Sequence, residues 1–256
     1  MTTDRMRGRF VWHDLMTNDT DGAIDFYSKI VGWGTLPFEG SETPYTMWTV
    51  GETPIGGVSA IDPATMGDMP PNWMAHISTP DVDATANRIK VLGGAIHTEP
   101  MDIPNIGRFA VASDPQGAAF AIFASAEETP GQDEAAQPGE FSWSELATTD
   151  YRAAFDFYSD LFGWEITNDS DMGGMGIYRI FGLNGRDLGG MYDKTDQMPG
   201  PPFWLYYVSV KDIDKTAETV KQHGGQVLHG PMEVPGGDRI AQCMDPQGAA
   251  FAIHDK

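Results

Sequence analysis

The chain has 256 residues, 41% hydrophobic and 21% charged, a balance that argues against a disordered or fibrous protein and leaves room for two domains of about 100 to 150 residues. A net charge of −21 argues against nucleic acid and anionic membranes as partners, because both demand clustered Lys and Arg. The lone cysteine, Cys243, rules out an internal disulfide or a thiolate cluster; with no long apolar run and a polar start, a cytoplasmic protein is expected.

In chain order, Phe10 to Met16 reads as a strand. Asp19 can cap a helix whose buried stripe is Ala23, Tyr27, Ile30 and Val31, and Gly32 stops it. Three short strand candidates follow, Trp33 to Phe38, Tyr45 to Val50 and Pro54 to Ala60. The order then repeats. Trp73 to Ser78 is a strand, and Asp81 caps a helix with Val82, Ala86, Ile89 and Leu92 on one face, closed by Gly93-Gly94. Ala95 to Thr98, Gly107 to Ala112 and Ala118 to Phe123 are the next strands. The stretch from Ala124 to Gly139, with Pro, Gly, Gln and acidic residues and no apolar period, reads as a linker.

Beyond it the sequence starts again. The run Asp114 to Ile122 returns unchanged as Asp245 to Ile253, 131 residues later, and Phe10 to Trp33 lies over Phe141 to Trp164 with twelve of twenty-four positions identical. Chance would give roughly one or two. The only slippage lies between Gly34 and Trp73, where loops tolerate such changes. The chain is therefore a tandem duplication, with domains at 1–124 and 140–256 joined by 125–139. Each half is βαβββ-βαβββ, an α+β architecture of four modules with mixed sheets, a helix on one face and the other face free to form a cleft. Closure within a repeat and pairing across the duplication are both compatible with this pattern.

These features resemble the vicinal oxygen chelate superfamily, which includes glyoxalase I, bleomycin-resistance proteins and extradiol dioxygenases. The resemblance rests on the strand followed by Asp-x(5)-Asp-Phe-Tyr at 19–27 and 150–158, the Gly-Trp after that helix, the Asp-Val-Asp-Ala and Asp-Ile-Asp-Lys helix starts at 81 and 212, and Asp-Pro-Gln-Gly before each last strand. It covers the chain apart from the linker, and it specifies a fold more than a reaction.

The resemblance implies where a metal would be held: a first-strand ligand fourteen residues before the Phe of Phe-Tyr, a second seven residues before the Asp that opens the second helix, and a carboxylate seven residues after the Asp of Asp-Pro-x-Gly. Here those positions hold Trp12, Met74 and Ala121 in one half and Trp143, Leu205 and Ala252 in the other. None offers an oxygen or nitrogen donor suited to such an ion, so no metal and no other cofactor is expected at the usual place.

Strand alternation puts Asp14 beside Trp12, His76 beside Met74 and Glu145 beside Trp143 on their respective faces. They are the candidate acid-base residues, able to work on a substrate, to share a displaced metal or simply to line a pocket with hydrogen-bonded polar groups. The remainder of the expected ligand-binding set is apolar: Trp12, Trp48, Met74, Ala121, Trp143, Leu205, Tyr207 and Ala252. Gly56-Gly57 and Gly189-Gly190 can mark close approach of a ligand or a bulge. His13, His97, His223, His229 and His254 read as surface or locally bonded, and Arg108 and Arg239 as partners of carboxylates or of an acidic ligand group.

The expectation is a small apolar or aromatic molecule bound in a cleft without the usual metal, by a monomer or homodimer. The alternatives are a glyoxalase-like lyase or isomerase or a dioxygenase-like enzyme working through Asp14, His76 or Glu145, and a drug-sequestering resistance protein, to which the acidic charge points. The same charge also serves solubility.

Overall fold

Each long helix begins where an aspartate can satisfy its first backbone N–H groups. Asp19 accepts from the amide of Gly22, Asp81 from that of Ala84, Asp150 from those of Arg152 and Ala153, and Asp212 from that of Lys215. Gly163 closes its helix in the left-handed region, φ 74°, where a side chain would be strained. The computed structural model describes residues 7–40, 43–127, 135–195, 198 and 200–256. Of the expected linker, 128–134 lies outside the described residues.

The first module runs β1 (Phe10–Thr17), α1 (Thr20–Ile30), β2 (Gly34–Pro37), β3 (Tyr45–Val50) and β4 (Thr53–Ala60), then a single helical turn, α2 (Pro63–Met66). The second is β5 (Asn72–Ser78), α3 (Val82–Val91), β6 (Ala95–Ile103), β7 (Gly107–Ser113) and β8 (Ala119–Ser125). The third is β9 (Phe141–Thr148), α4 (Tyr151–Phe162), β10 (Glu165–Asp171), β11 (Ile177–Leu183) and β12 (Arg186–Asp193). The fourth is β13 (Phe203–Ser209), α5 (Ile213–Gln222), β14 (Gln226–Glu233), β15 (Arg239–Met244) and β16 (Ala250–Asp255). Hydrogen bonding orders the strands β2-β3-β4-β1-β5-β8-β7-β6 in one mixed sheet and β10-β11-β12-β9-β13-β16-β15-β14 in the other. In every module the first strand pairs in parallel with the last, and the three later strands form an antiparallel meander.

Three details differ from the sequence reading. β6 extends to Ile103 because register shifts between Ile96 and Thr98 and between Thr98 and Met101 carry the strand past Pro100, which cannot donate to the ladder. Val31 caps α1 from outside its buried stripe, where Phe26 takes the place in the core, and Leu92 likewise caps α3 instead of joining its buried face. The short α2, capped by Asp62, was not anticipated.

The chain forms two compact units, each drawn from both repeats. The described residues of one fall within Met1–Val11, Ala75–Asp133 and Ser144–Trp204, which brings the second and third modules together. In this unit Arg88 on α3 grips Asp160 on α4 through two bonds of 2.7 and 2.6 Å, and Arg7 donates to the carbonyls of Asp160 and Leu161 at the open end of α4. Phe120 meets Tyr158 edge-on at 5.3 Å, and Trp164 stacks on Phe181 at 4.3 Å.

The other unit falls within Trp12–Met74, Glu134–Trp143 and Leu205–Lys256 and combines the first and fourth modules. Its core is an aromatic cluster in which Tyr27, Trp33, Trp48 and Trp73 lie 5.3 to 6.4 Å apart, with Phe251 against Tyr27.

The same polar lock sits in both cores. In the first unit the buried Asp114 of Asp-Pro-Gln-Gly accepts from the Gln116 and Ala118 amides and from the Tyr158 hydroxyl, which itself accepts from the Trp204 indole. In the second, Asp245 accepts from the amides of Gln247, Gly248 and Ala249 and from the Tyr27 hydroxyl, with Trp73 donating to that hydroxyl. The two motifs that reveal the duplication, Asp-Phe-Tyr and Asp-Pro-Gln-Gly, are thus hydrogen-bonded to each other, each with its counterpart from the opposite repeat.

Candidate functional site

Strand alternation gives every module one face packed on its helix and one that is partly open. In the second module Ala75, Ile77, Ala110, Ala112, Phe120 and Ile122 are completely buried on the helix side. The opposite face carries Met74, His76, Phe109, Val111, Ala121 and Phe123, with Phe109, Val111 and Phe123 partly exposed. Register places His76 directly beside Ala121 and Ala121 beside Val111. The buried imidazole of His76 lies 6.1 Å from the Phe109 ring and 6.3 Å from Phe123. The fourth module repeats this pattern: Tyr207 lies beside Ala252, Ala252 beside Gln242, and the Gln242 amide reaches the Tyr207 hydroxyl at 3.5 Å.

In the first module a carboxylate marks the open face. Asp14 Oδ1 accepts from the Trp12 indole at 3.0 Å and from the Tyr45 hydroxyl at 2.5 Å, while Tyr45 in turn accepts from Trp12 at 2.7 Å. Burial, and then the Asp14 charge, push the Tyr45 hydroxyl far above its usual range, so it stays a donor. The third module has the same design with a longer acid. Glu145, 7% exposed, accepts from the Tyr178 hydroxyl at 3.0 Å. The rings of Tyr178 and Tyr192 stack 5.9 Å apart, and burial together with the Glu145 charge raises the Tyr192 hydroxyl as well.

Each glycine pair follows a slip in the ladder, at Ile55 before Gly56 and at Leu188 before Gly189, in keeping with the bulge reading, and each also makes room for the chain. A Cβ on Gly57 would fall on the Tyr45 phenol, and one on Gly190 on the Tyr178 ring. Gly56 and Gly189 face the backbone of the neighbouring strand, at His13 and Ser144. All four make space for the chain itself, and two of them seat the tyrosines that hold the carboxylates.

Trp12 and Asp14 share one open face, His76 and Met74 another, and Leu205, Tyr207 and Ala252 a third, as alternation requires. Glu145 and the half-buried Trp143 alternate in the same sense on β9. Trp48 does not line a face. It is completely buried, donates to the Gly57 carbonyl and packs within the aromatic core, because alternation along β3, unbroken from Tyr45 to Trp48, turns it away from the open face that Tyr45 occupies. Ala121 and Ala252 are completely buried and expose no surface of their own.

His13, expected at the surface or in a local bond, is 4% exposed and stacked on Phe141 at 3.6 Å. His254 bridges Ser142 and Asp238 at 3.1 and 3.0 Å, His97 meets Ser113 at 2.9 Å, and Arg108 and Arg239 pair with Asp83 and Asp102 and with Asp214. These guanidiniums hold Asp83 and Asp214 below the usual carboxylate range. Cys243 is buried, and burial pushes its thiol up to about 12, so it packs as an inert group.

Tyr45, Tyr178 and Tyr192 escaped the sequence reading. Tyr45 and Tyr178 do recur, but only when the two-residue slip inside the meander is allowed for, and the faces they occupy depend on a register that spacing does not give.

The family's metal does not fit these residues. The positions expected to ligate carry an indole, a thioether, an isobutyl group and methyl groups, and among the described residues no three His, Cys, Asp or Glu side chains gather closely enough to hold an ion.

The profile of the Glyoxalase/Bleomycin resistance protein/Dioxygenase superfamily matches residues 9–122 and again 140–253. "Putative glyoxylase CFP32" of Mycobacterium tuberculosis is 32% identical over 245 residues, covering 94% of this chain and 92% of its own length. "Anthracycline biosynthesis protein DauV" of Streptomyces sp. (strain C5) is 30% identical over 259 residues, covering 96% and 92%. Among solved structures, 2,2',3-trihydroxybiphenyl 1,2-dioxygenase from Sphingomonas wittichii strain RW1 superposes with a TM-score of 0.70 at 12% identity over 98% of this chain and 91% of that one. The Mn(II)-bound glyoxalase from Novosphingobium aromaticivorans gives 0.68 at 16% identity, covering 98% and 82%. At such identities the solved structures speak for the fold alone.

Proposed function

Because the chain belongs to the glyoxalase, bleomycin resistance protein and dioxygenase superfamily, we propose that it binds a small, largely apolar or aromatic molecule against the open sheet faces and does so without the family's usual metal. The observation that carries this reading is the replacement at all six ligand positions: Trp12, Met74 and Ala121, and Trp143, Leu205 and Ala252, stand where donors would be needed. The exchange turns a metal-lined surface into an apolar one with aromatic walls, while Asp14, Glu145 and His76 remain as the few polar groups that orient a ligand. The relative named for anthracycline biosynthesis supports a flat aromatic ligand.

The test is a titration of the purified protein with tricyclic aromatics, followed by quenching of its tryptophans. Saturable binding of one ligand per repeat or per chain, weakened by Trp12→Ala or Trp143→Ala, is the expected result. Absence of saturation with any aromatic would end the proposal.

A second reading is favoured by one contact, the 2.5 Å bond from Tyr45 to Asp14, which is the arrangement of a proton donor beside a base. On this reading the protein turns over a 2-oxoaldehyde adduct or a catechol. Loss of such turnover in both Asp14→Asn and Tyr45→Phe would establish it.

A further inference from the structure

We infer that Tyr192 sets the polar contact of the ligand: a flat aromatic molecule lying on the open face of the third module is fixed there by a ring carbonyl, a ketone or quinone oxygen, that accepts from the Tyr192 hydroxyl. This rests on the aromatic site proposed above and gives the class of molecule it takes. The first support is an exchange of bulk between the repeats. In the first module register sets Met16 beside Ser59; in the third, allowing for the two-residue slip in the meander, the same neighbours are Ala147 and Tyr192. Bulk has moved from the first strand of the module to the last. Filling that space needs no phenol oxygen, since Phe would fill it equally well, so the hydroxyl is what the exchange adds to the face.

The second support is that this hydroxyl is fixed in place and uncommitted. Its cross-strand neighbour Tyr178 donates to Glu145 at 3.0 Å and is seated on Gly190, where a Cβ would fall on its ring. Tyr192 stacks on that anchored ring at 5.9 Å, with the planes 21° apart, and is itself half-buried. Among the described residues none exchanges a hydrogen bond with the Tyr192 hydroxyl. Burial, and then the Glu145 charge, raise it above its usual range, so it keeps its proton and can donate. A donor held by its neighbours loses little freedom when a ligand takes it up.

Covering that hydroxyl decides the chemistry. A pure hydrocarbon on this face would take the O–H out of water and return nothing, at the cost of an unsatisfied donor. A carbonyl oxygen in the plane of a flat ring system meets the donor while the rings stay on the aromatic wall formed by Tyr178 and Tyr192.

Fluorene and fluorenone share one tricyclic frame and differ by the carbonyl oxygen. Dissociation constants of both would be measured by equilibrium dialysis for the parent protein and for Tyr192→Phe, which keeps the ring and its stacking. Loss of the hydroxyl should weaken fluorenone about fivefold and leave fluorene unchanged or slightly tighter. The infrared carbonyl stretch of bound fluorenone should lie below its position in an apolar solvent for the parent and return to that position in the variant. A stretch at the apolar-solvent position in the parent, a shift that survives in the variant, or an equal change in affinity for the two probes overturns this inference and leaves the aromatic site standing. Binding of neither probe overturns the aromatic site and this inference with it.

Discussion

Tyr158 and Tyr27 each stand between a buried aspartate and an indole, so losing either hydroxyl strips a partner from both. Tyr158→Phe and Tyr27→Phe should each lower stability by about 1–3 kcal/mol in denaturant melts, since the groups left behind are buried. A change below about 0.5 kcal/mol would contradict the assigned role. Burial raises Asp114 and Asp245 above the ordinary carboxylate value, against the pull of their backbone N–H bonds. A raised native value means that the contribution of each acid is complete below the unfolded value of about 3.9 and is lost as pH rises through the native one. The stability gap between the parent and Asp114→Asn should therefore be widest near pH 4 and narrower at pH 7; a gap that widens with pH would show the sign to be wrong. Gly190→Ala offers a check on the open face, because the new methyl displaces Tyr178 from Glu145. Aromatic binding should weaken in that variant while the melting transition stays cooperative.

At the level of elements, the helix starts were legible because an aspartate ahead of an apolar stripe has few other uses; the caps read at Asp19 and Asp81 formed, and so did their repeat counterparts at Asp150 and Asp212. Asp150 is tied further, with Gln116 receiving the amides of Thr149 and Asp150 and donating to the Asp150 carbonyl. Asp150→Ala should cost about 1 kcal/mol, seen as a fall in melting temperature without loss of fold. The strands were legible in number, order and alternation, which is why Asp14, His76 and Glu145 were set on the right faces. Bulges were legible only as one option for the glycine pairs, and those in β6 were not. Trp48, expected as a wall, is core by plain alternation with Tyr45, while the slips in β6 let a strand pass through Pro100. Bulges depend on the partner strand, and the sequence of one strand does not carry that information.

For the whole molecule, duplication was plain in the sequence while the grouping of modules was not. No local pattern says that Asp114 will meet Tyr158 or that Asp245 will meet Tyr27, since these partners lie in different repeats. It follows that a fragment of residues 1–127 lacks the tyrosine for its Asp114. By itself it should be unfolded or self-associated, with Tyr27 of one copy serving Asp114 of another, and mixing it with residues 135–256 should restore a cooperative melt. A monomeric fragment with a sharp transition would contradict that account.

The central claim is that an apolar surface has replaced a metal centre. It is tested most directly by titrating one tricyclic aromatic into protein treated with a chelator and into the same protein supplied with Zn, Mn, Ni or Fe. The account predicts equal affinity in every sample and no stoichiometric retention of metal after dialysis. An affinity that vanishes with the chelator and returns with one equivalent of a retained ion would contradict it.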